Sequence, residues 1–335
     1  MTATAPQGIP HPETGELLLP IRGEVKDAGR RDEDLVCWGV TTCLGVMDKS
    51  GPLVNWAVNE TAARTVARLA YVSRRLSEEG EESAVDYVKG LRWDTGGNLS
   101  DAALGTLAHK LFDDYALTGT RPKVTTDLHP DHASKQKLLS DADVFSLHRM
   151  LDQFDRFLQQ FQPTYKCCEV VVYHPEFGYA GQLDAIFEID GIALIADYKT
   201  SRNAWTAAGK EKKPYSEAAL QLAAYRHATH AAVWRARRYS NYSRRYYLLS
   251  ETERAAAVPV PEVEGGVVIL VTPDRVGVYP ARCGDREFEA FLYTVEVARW
   301  MFNEASSVIG DEMVPPHELP EPAGDPFAGL PGEGE

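Results

Sequence analysis

Gly181-Gln182-Leu183-Asp184, then Ile189-Asp190-Gly191-Ile192, then Ala196-Asp197-Tyr198-Lys199-Thr200 is the stretch that decides the fold of this 335-residue chain. Asp-Gly between alternating apolar residues signals a two-residue hairpin turn between antiparallel strands. Such a turn fixes register. With Ile189 opposite Ile192, cross-strand partners sum to 381, which predicts Asp184 opposite Asp197. Lys199, two residues beyond Asp197, then lies on the same face. Two facing carboxylates with Cβ atoms about 5 Å apart repel each other, and a cation removes the repulsion. A divalent metal on Asp184 and Asp197 with an ammonium beside it suits phosphodiester hydrolysis. The metal polarises the phosphate and acidifies a bound water, and the lysine orients that water or stabilises developing charge. The plainer alternative is an edge hairpin with solvated acids.

Hydrophobic residues make up 44% of the chain and charged residues 25%, ordinary values for a globular protein. The length suits one large α/β domain with extensions, or two closely joined domains. No apolar run approaches the roughly 20 residues needed to span a bilayer. The N-terminal Met1-Thr2-Ala3-Thr4-Ala5-Pro6 lacks a basic segment and an apolar signal core, so an intracellular, cytoplasmic location is expected. The five cysteines, Cys37, Cys43, Cys167, Cys168 and Cys283, include no C-x-x-C pair, which argues against a disulfide framework and a structural zinc site.

The net charge of −14 is unevenly spread. Residues 311–335 hold seven acids and no Lys or Arg, whereas residues 199–245 hold eleven basic residues against two acids, a local +9. A basic run beginning at Lys199 is what a polyanionic substrate requires; a solvated charge run is the competing reading. Within it, Trp234 to Tyr247 interleaves Arg235, Arg237, Arg238, Arg244 and Arg245 with aromatics, a surface able to stack on bases and pair with phosphates. A helix end followed by an edge strand explains the same residues without a ligand.

Four regions are expected: a flexible arm over 1–33, a mainly helical region over 34–163, an α/β core over 164–305 and an acidic, disordered tail over 306–335. Pro52 and Gly80 bracket one helical pattern. Ser100, a good N-cap, opens a second that runs to Leu117 with Gly119 as its stop. A third spans Ala142 to Phe161. Strands are expected over 169–173, 179–189 and 192–200, followed by an Ala-rich helix over 216–235, a hairpin over 266–271 and 276–279, and a last helix over 285–302. His129-Pro130-Asp131-His132 looks metal-like but reads as a polar surface loop, and Asp325-Pro326-Phe327 as part of a solubilising tail.

His109 lies at the flank of the second helix's apolar stripe, on the same side as Gly105. A glycine inside a helix costs about 1 kcal/mol relative to Ala, so close packing or function should offset it. The functional reading brings His109 to the Asp184/Asp197 metal, where a nitrogen ligand broadens preference from Mg²⁺ toward Mn²⁺. Gln221 and Tyr225, four apart, share a helix face.

In this order, His109, G-Q-L-D (Gly181 to Asp184), D-Y-K-T (Asp197 to Thr200) and Q-L-A-A-Y (Gln221 to Tyr225) resemble the RecB-type nucleases of the PD-(D/E)xK superfamily, in particular their phage and CRISPR-associated exonucleases. The resemblance covers about residues 100–230. It implies an α/β fold with a central mixed sheet flanked by helices, and one or two Mg²⁺ or Mn²⁺ ions. His109, Asp184, Asp197 and the Tyr198 carbonyl become the implied metal ligands and Lys199 the implied catalytic lysine. Gln221 and Tyr225 are implied to lie near the DNA and the metal waters, and Arg202, Arg237 and Arg238 of the basic run are expected to bind DNA or to stand behind the metal ligands. Glu169 is a further candidate, because some relatives carry another acid on the preceding strand. Only Cys283 follows the core, so the four-cysteine iron–sulfur cluster of several relatives is not expected. No G-x-x-x-x-G-K-[ST] is present, which argues against a helicase. The expected function is a DNA exonuclease of phage-type recombination or replication, with a single-strand annealing or other recombination protein as the implied partner. A structure-specific endonuclease and a catalytically silent DNA-end-binding module are the alternatives.

Overall fold

The computed structural model describes residues 9–10, 17–18, 33–47, 50–127, 138–206, 209–232, 237–238 and 246–310. The His129–His132 loop, the acidic tail from 311 on and most of the N-terminal arm lie outside these residues.

In chain order, β1 (Ile9–Pro10) and β2 (Leu17–Leu18) pair with each other, and β3 (Leu35–Gly39) runs directly into α1 (Val40–Leu44). The helices α2 (Ser50–Ala67), α3 (Leu69–Glu79), α4 (Glu81–Leu91), α5 (Asp101–Thr118) and α6 (Asp141–Phe161) follow. Three long strands come next, β4 (Thr164–His174), β5 (Tyr179–Ile189) and β6 (Ile192–Thr200), then α7 (Glu217–Arg226). The chain continues through β7 (His230–Ala232), β8 (Arg237–Arg238), β9 (Tyr246–Leu249), α8 (Glu251–Ala255) and β10 (Val258–Pro259). It closes with β11 (Gly265–Val271), β12 (Val276–Ala281) and α9 (Asp285–Asn303).

This is a mixed sheet of ten strands flanked by helices, the expected fold class. Helices α5 and α6 bury one face, with Leu107, Phe112, Phe154 and Phe157 against Ala185, Phe187, Ala196 and Tyr198. Helices α1, α7 and α9 cover the other, with Leu222, Ala223, Tyr225 and Phe291 against Val172, Leu183, Ile186 and Ile195. The expected caps are present. The Ser100 side chain accepts the Ala103 N–H, and Gly119 ends α5 at φ 64°.

The hairpin forms as expected. Asp190 and Gly191 both have positive φ, 51° and 81°, as a turn matched to strand twist requires. The register sum of 381 holds for five pairs, from Ile189↔Ile192 to Ala185↔Ala196. There the β5–β6 ladder ends, one pair short of Asp184 and Asp197. Strand β6 continues in parallel with β11 to Thr200↔Val271. At its other end the same edge of β5 pairs with β3, through Tyr179 and Ala180. Residues 181–184, the G-Q-L-D motif, therefore sit in a fork with no strand on that edge among the described residues.

Two helical expectations are corrected and one helix is added. The pattern from Pro52 to Gly80 is two helices, broken at Arg68 (φ −118°, ψ 21°). A further helix, α4, begins directly after Gly80. The Ala-rich helix ends at Arg226 rather than 235, because the chain then enters β7, whose Ala231 and Ala232 pair with Val172 and Val171 of β4. Tertiary pairing overrides local helix propensity there.

Candidate metal centre

Residues two apart on a strand should share a face. Around Glu169 and Asp184 this rule fails on both strands. Cys168 packs with the α5/α6 side and Val170 with the α7/α9 side; Ala185 and Leu183 divide in the same way. The β4–β5 ladder pairs Cys168 with Ala185 and Val170 with Leu183 but skips Glu169 and Asp184 between them. Glu169 has φ 54°, a left-handed conformation that costs a glutamate about 1–2 kcal/mol. The kink re-aims its carboxylate, so that His109, Glu169 and Asp184 each offer one donor atom within 4.8 Å of the others.

Helix α5 brings His109 to this point because Gly105, one turn earlier, lets the helix close on β6. A Cβ at Gly105 would lie 2.8 Å from Thr200 Oγ1. His109 Nδ1 is 3.6 Å from Asp184 Oδ1, and the imidazole meets Tyr198 edge-on. The other Asp184 oxygen accepts the Tyr198 N–H at 2.6 Å. The carboxylate thus occupies the mouth of the fork and takes the hydrogen bond that a continued ladder would have used. That corrects the expected face-to-face pairing with Asp197.

Asp197 lies one step further along β6, 1% exposed. Its Oδ1 accepts from Lys199 Nζ at 2.8 Å, while Oδ2 is buried without a hydrogen-bond partner. Lys199 Nζ also donates to Gln221 Oε1 at 3.3 Å. Gln221 Nε2 in turn donates to the Tyr225 hydroxyl at 3.2 Å. The Q-x-x-x-Y pair of α7 is therefore wired to the lysine. The Tyr225 ring fills the fork beside Gly181, where a Cβ would come within 2.5 Å of its Cε1. Glycine is the residue that admits the ring.

Burial works against the charged carboxylates here, with opposite results. It prevails at Glu169, whose acid is pushed up to about 8 with help from the negative charges of Asp184 and Asp113. It prevails at Asp197, raised to about 6 despite Lys199. At Asp184 burial is outweighed by His109, Lys199 and the Tyr198 N–H, which together hold the acid below its usual range. Burial disfavours the His109 imidazolium too, but Asp184 and then Glu169 raise its pKa above the usual value. Half-buried Glu169 and buried Asp197 have their acids raised, half-buried Asp184 is held below its usual range, and one Asp197 oxygen lacks a hydrogen-bond partner. That donor set fits a divalent cation of mixed nitrogen and oxygen preference.

Of the three arginines expected near the DNA, one is engaged within the fold and two have side chains outside the described residues. Arg202 is not a free contact: it donates to Asp143 at 2.8 Å, to the Leu99 carbonyl at 2.7 Å and to Asp101 at 2.9 Å. It joins the end of β6 to the starts of α5 and α6. Arg237 and Arg238 form β8, paired with Leu248 and Tyr247 of β9, and their side chains lie outside the described residues. Sequence reasoning gave Gln182 no role, although it stands inside the quoted motif. Its amide donates to Glu169 and fixes that carboxylate. The contact crosses strands at a backbone kink, so spacing gave no signal for it. All five cysteines are free and buried, and among the described residues no helix is long and apolar enough to cross a membrane.

No curated protein matches the chain. Among solved structures, the crystal structure of SSO0001 aligns with 49% of this chain and 63% of its own, less than two thirds of its length, at 16% identity and a TM-score of 0.26. A likeness that low carries no argument. The family comparison carries one: residues 84–305, most of the chain and all of the centre described above, match the model of the PD-(D/E)XK nuclease superfamily, and the chain belongs to that superfamily.

Proposed function

We propose that this protein is a metal-dependent deoxyribonuclease that degrades DNA from its ends, an exonuclease of phage-type recombination or replication acting beside an annealing or other recombination protein. The observation that carries the hydrolytic reading is the convergence of His109, Glu169 and Asp184 next to the Asp197–Lys199 pair. His109, Glu169, Asp184, the free oxygen of Asp197 and the Tyr198 carbonyl would hold one or two Mg²⁺ or Mn²⁺ ions. When bound, such an ion supplies Lewis acidity and a water acidic enough to attack phosphorus near neutral pH.

The chain's own groups do the rest. Asp197 and Gln221 hold the Lys199 ammonium at a fixed point, from which it donates to a nonbridging phosphate oxygen as charge grows there. A donor fixed in advance needs no reorganisation during reaction, which is the source of its effect. Gln221 and Tyr225 keep the lysine from turning away, and Gln182 keeps Glu169 aimed inward. The preference for ends rests on the resemblance to RecB-type exonucleases.

The test is degradation of end-labelled linear DNA beside a closed circle, with Mn²⁺, Mg²⁺ or chelator, by the wild type and Lys199→Ala. Metal-dependent loss of the linear DNA alone, absent in the variant while DNA binding is retained, supports the proposal. Cutting of the circle refutes the exonuclease part. Full activity of Lys199→Ala refutes the assigned site.

A further inference from the structure

The connection from Lys199 to Gln221 is tied to the centre at both ends, and its middle doubles back as a short finger closed by one antiparallel bridge, with residues 207–208 at its turn outside the described residues. The Lys212 N–H donates to the Ala204 carbonyl at 2.9 Å and the Thr206 N–H to the Lys210 carbonyl at 2.7 Å. Between these bonds Trp205 bridges to Glu211. The base is fixed. Ala204 is buried, the Ser201 N–H donates to the Val271 carbonyl at 3.2 Å, and Lys212 Nζ donates to Ser201 Oγ at 2.9 Å. The finger's acid, Glu211, is neutralised by Arg275 at 2.6 Å and accepts from the Tyr279 hydroxyl at 2.8 Å.

What the finger displays is aromatic and basic. Trp205 is 53% exposed and Tyr215, at the exit, 76% exposed; Lys210 and Lys213 are exposed as well. A half-exposed indole on an anchored finger forgoes the burial that a tryptophan ordinarily gains. An exposed ring and exposed lysines carried on one anchored segment match the chemistry of single-stranded nucleic acid, where bases stack on aromatics and phosphates pair with cations. Trp205 is six residues from Lys199, at most about 20 Å of chain. A strand of about six stacked nucleotides, at roughly 3.4 Å each, is long enough to cover that reach.

We infer that this finger is a stacking subsite for an unpaired DNA strand: Trp205 takes a base, Lys210 and Lys213 take the adjoining phosphates, and the strand is led to the centre between Lys199 and Gln221. The inference rests on the nuclease reading and adds its substrate class, a single-stranded or frayed end rather than intact duplex.

Binding is measured by fluorescence anisotropy with a labelled twelve-nucleotide oligothymidine and with a blunt duplex, both in the non-cleaving Lys199→Ala background. Adding Trp205→Ala is expected to weaken the single strand about tenfold or more, Trp205→Phe to restore most of it, and the duplex to change little. Lys210→Ala with Lys213→Ala is expected to flatten the salt dependence of single-strand binding, which Trp205→Ala leaves unchanged. Equal affinities for parent and Trp205→Ala overturn the inference, as does an equal loss on strand and duplex. Thermal melting confirms that each variant is folded. Wild-type cleavage is scored separately on the same DNA. Cleavage by the wild type that Trp205→Ala leaves unchanged removes the finger and keeps the nuclease, whereas a wild type that neither binds nor cleaves removes both.

Discussion

Arg202→Ala tests the joint that holds the centre together. Asp143 is 1% exposed, and its carboxylate has three partners: Arg202 at 2.8 Å, the Leu99 N–H at 2.9 Å and the Ser140 hydroxyl at 2.8 Å. Removing the guanidinium leaves a buried carboxylate with two neutral donors. Breaking a buried pair from one side typically costs about 3–5 kcal/mol, because the remaining charge loses its counter-ion. At about 2–4 °C per kcal/mol for a domain of this size, the melting temperature should fall by roughly 6–20 °C. Asp143→Asn combined with Arg202→Ala removes the orphaned charge and should recover part of the loss.

The sign of the pH dependence follows. Burial raises the Asp143 pKa, but Arg202, the Leu99 N–H and Ser140 outweigh it and hold the acid below its usual value. Its contribution is therefore complete above the unfolded value near 3.9, and it is lost as pH falls through the lower folded value. Without Arg202 the acid should sit higher than in the wild type, because burial is then opposed only by the Leu99 N–H and Ser140. The deficit of Arg202→Ala should then be largest near neutrality and shrink as the pH drops toward 4. Urea denaturation from pH 4 to pH 8 measures both quantities. A stability within about 1 kcal/mol of wild type at pH 7 would refute the account of Arg202 as a structural joint.

Other perturbations probe the fork and the cluster. Gly181→Ala places a methyl 2.5 Å from Tyr225 Cε1. It should destabilise by about 1–3 kcal/mol and lower activity by moving Tyr225 and Gln221, as read by denaturation and turnover; a neutral result would mean that the ring is not needed in the fork. Glu169→Gln keeps the shape but removes a ligand charge. Calorimetric Mn²⁺ affinity should drop about tenfold or more with the fold intact, and unchanged affinity would exclude Glu169 from the metal shell.

Local chemistry explains what was legible. Asp190-Gly191 names its own turn, because few residue pairs accept two positive φ values, and Ser100 and Gly119 mark the ends of α5 through their backbone hydrogen bonding. Register could be carried outward from the turn only as far as Ala185↔Ala196. Past that point β6 follows β11, a strand some 70 residues later in the chain, and no turn chemistry encodes the divergence. The same limit hid the end of α7. Ala223, Ala224, Ala231 and Ala232 look alike in sequence, and pairing with β4 is what makes strand of the last two. Glu169 is a candidate from the resemblance, but its kink escaped for another reason: glutamate carries no signal for left-handed backbone. Arg202 belonged to a basic run, and the run says nothing of a buried Asp143 fifty-nine residues away.

The kink at Glu169 and the fork at Asp184 are best understood as one device. A regular hairpin would have set Asp184 against Asp197 and spaced the acids by strand geometry alone, with no place for a helix histidine. Ending the ladder at Ala185 instead opens a gap in which one Asp184 oxygen is consumed by Tyr198 N–H and the other faces His109. The left-handed turn at Glu169 then brings a second carboxylate to the same point from the strand on the opposite edge of β5. Each irregularity alone would leave a buried charge unmatched. Together they gather acids whose ionised forms burial disfavours, a cost of several kcal/mol in an empty site that a bound cation reverses. Metal binding should therefore stabilise the fold as well as enable hydrolysis, and the melting temperature should rise with Mn²⁺ in the wild type and not in a variant lacking His109 and Asp184.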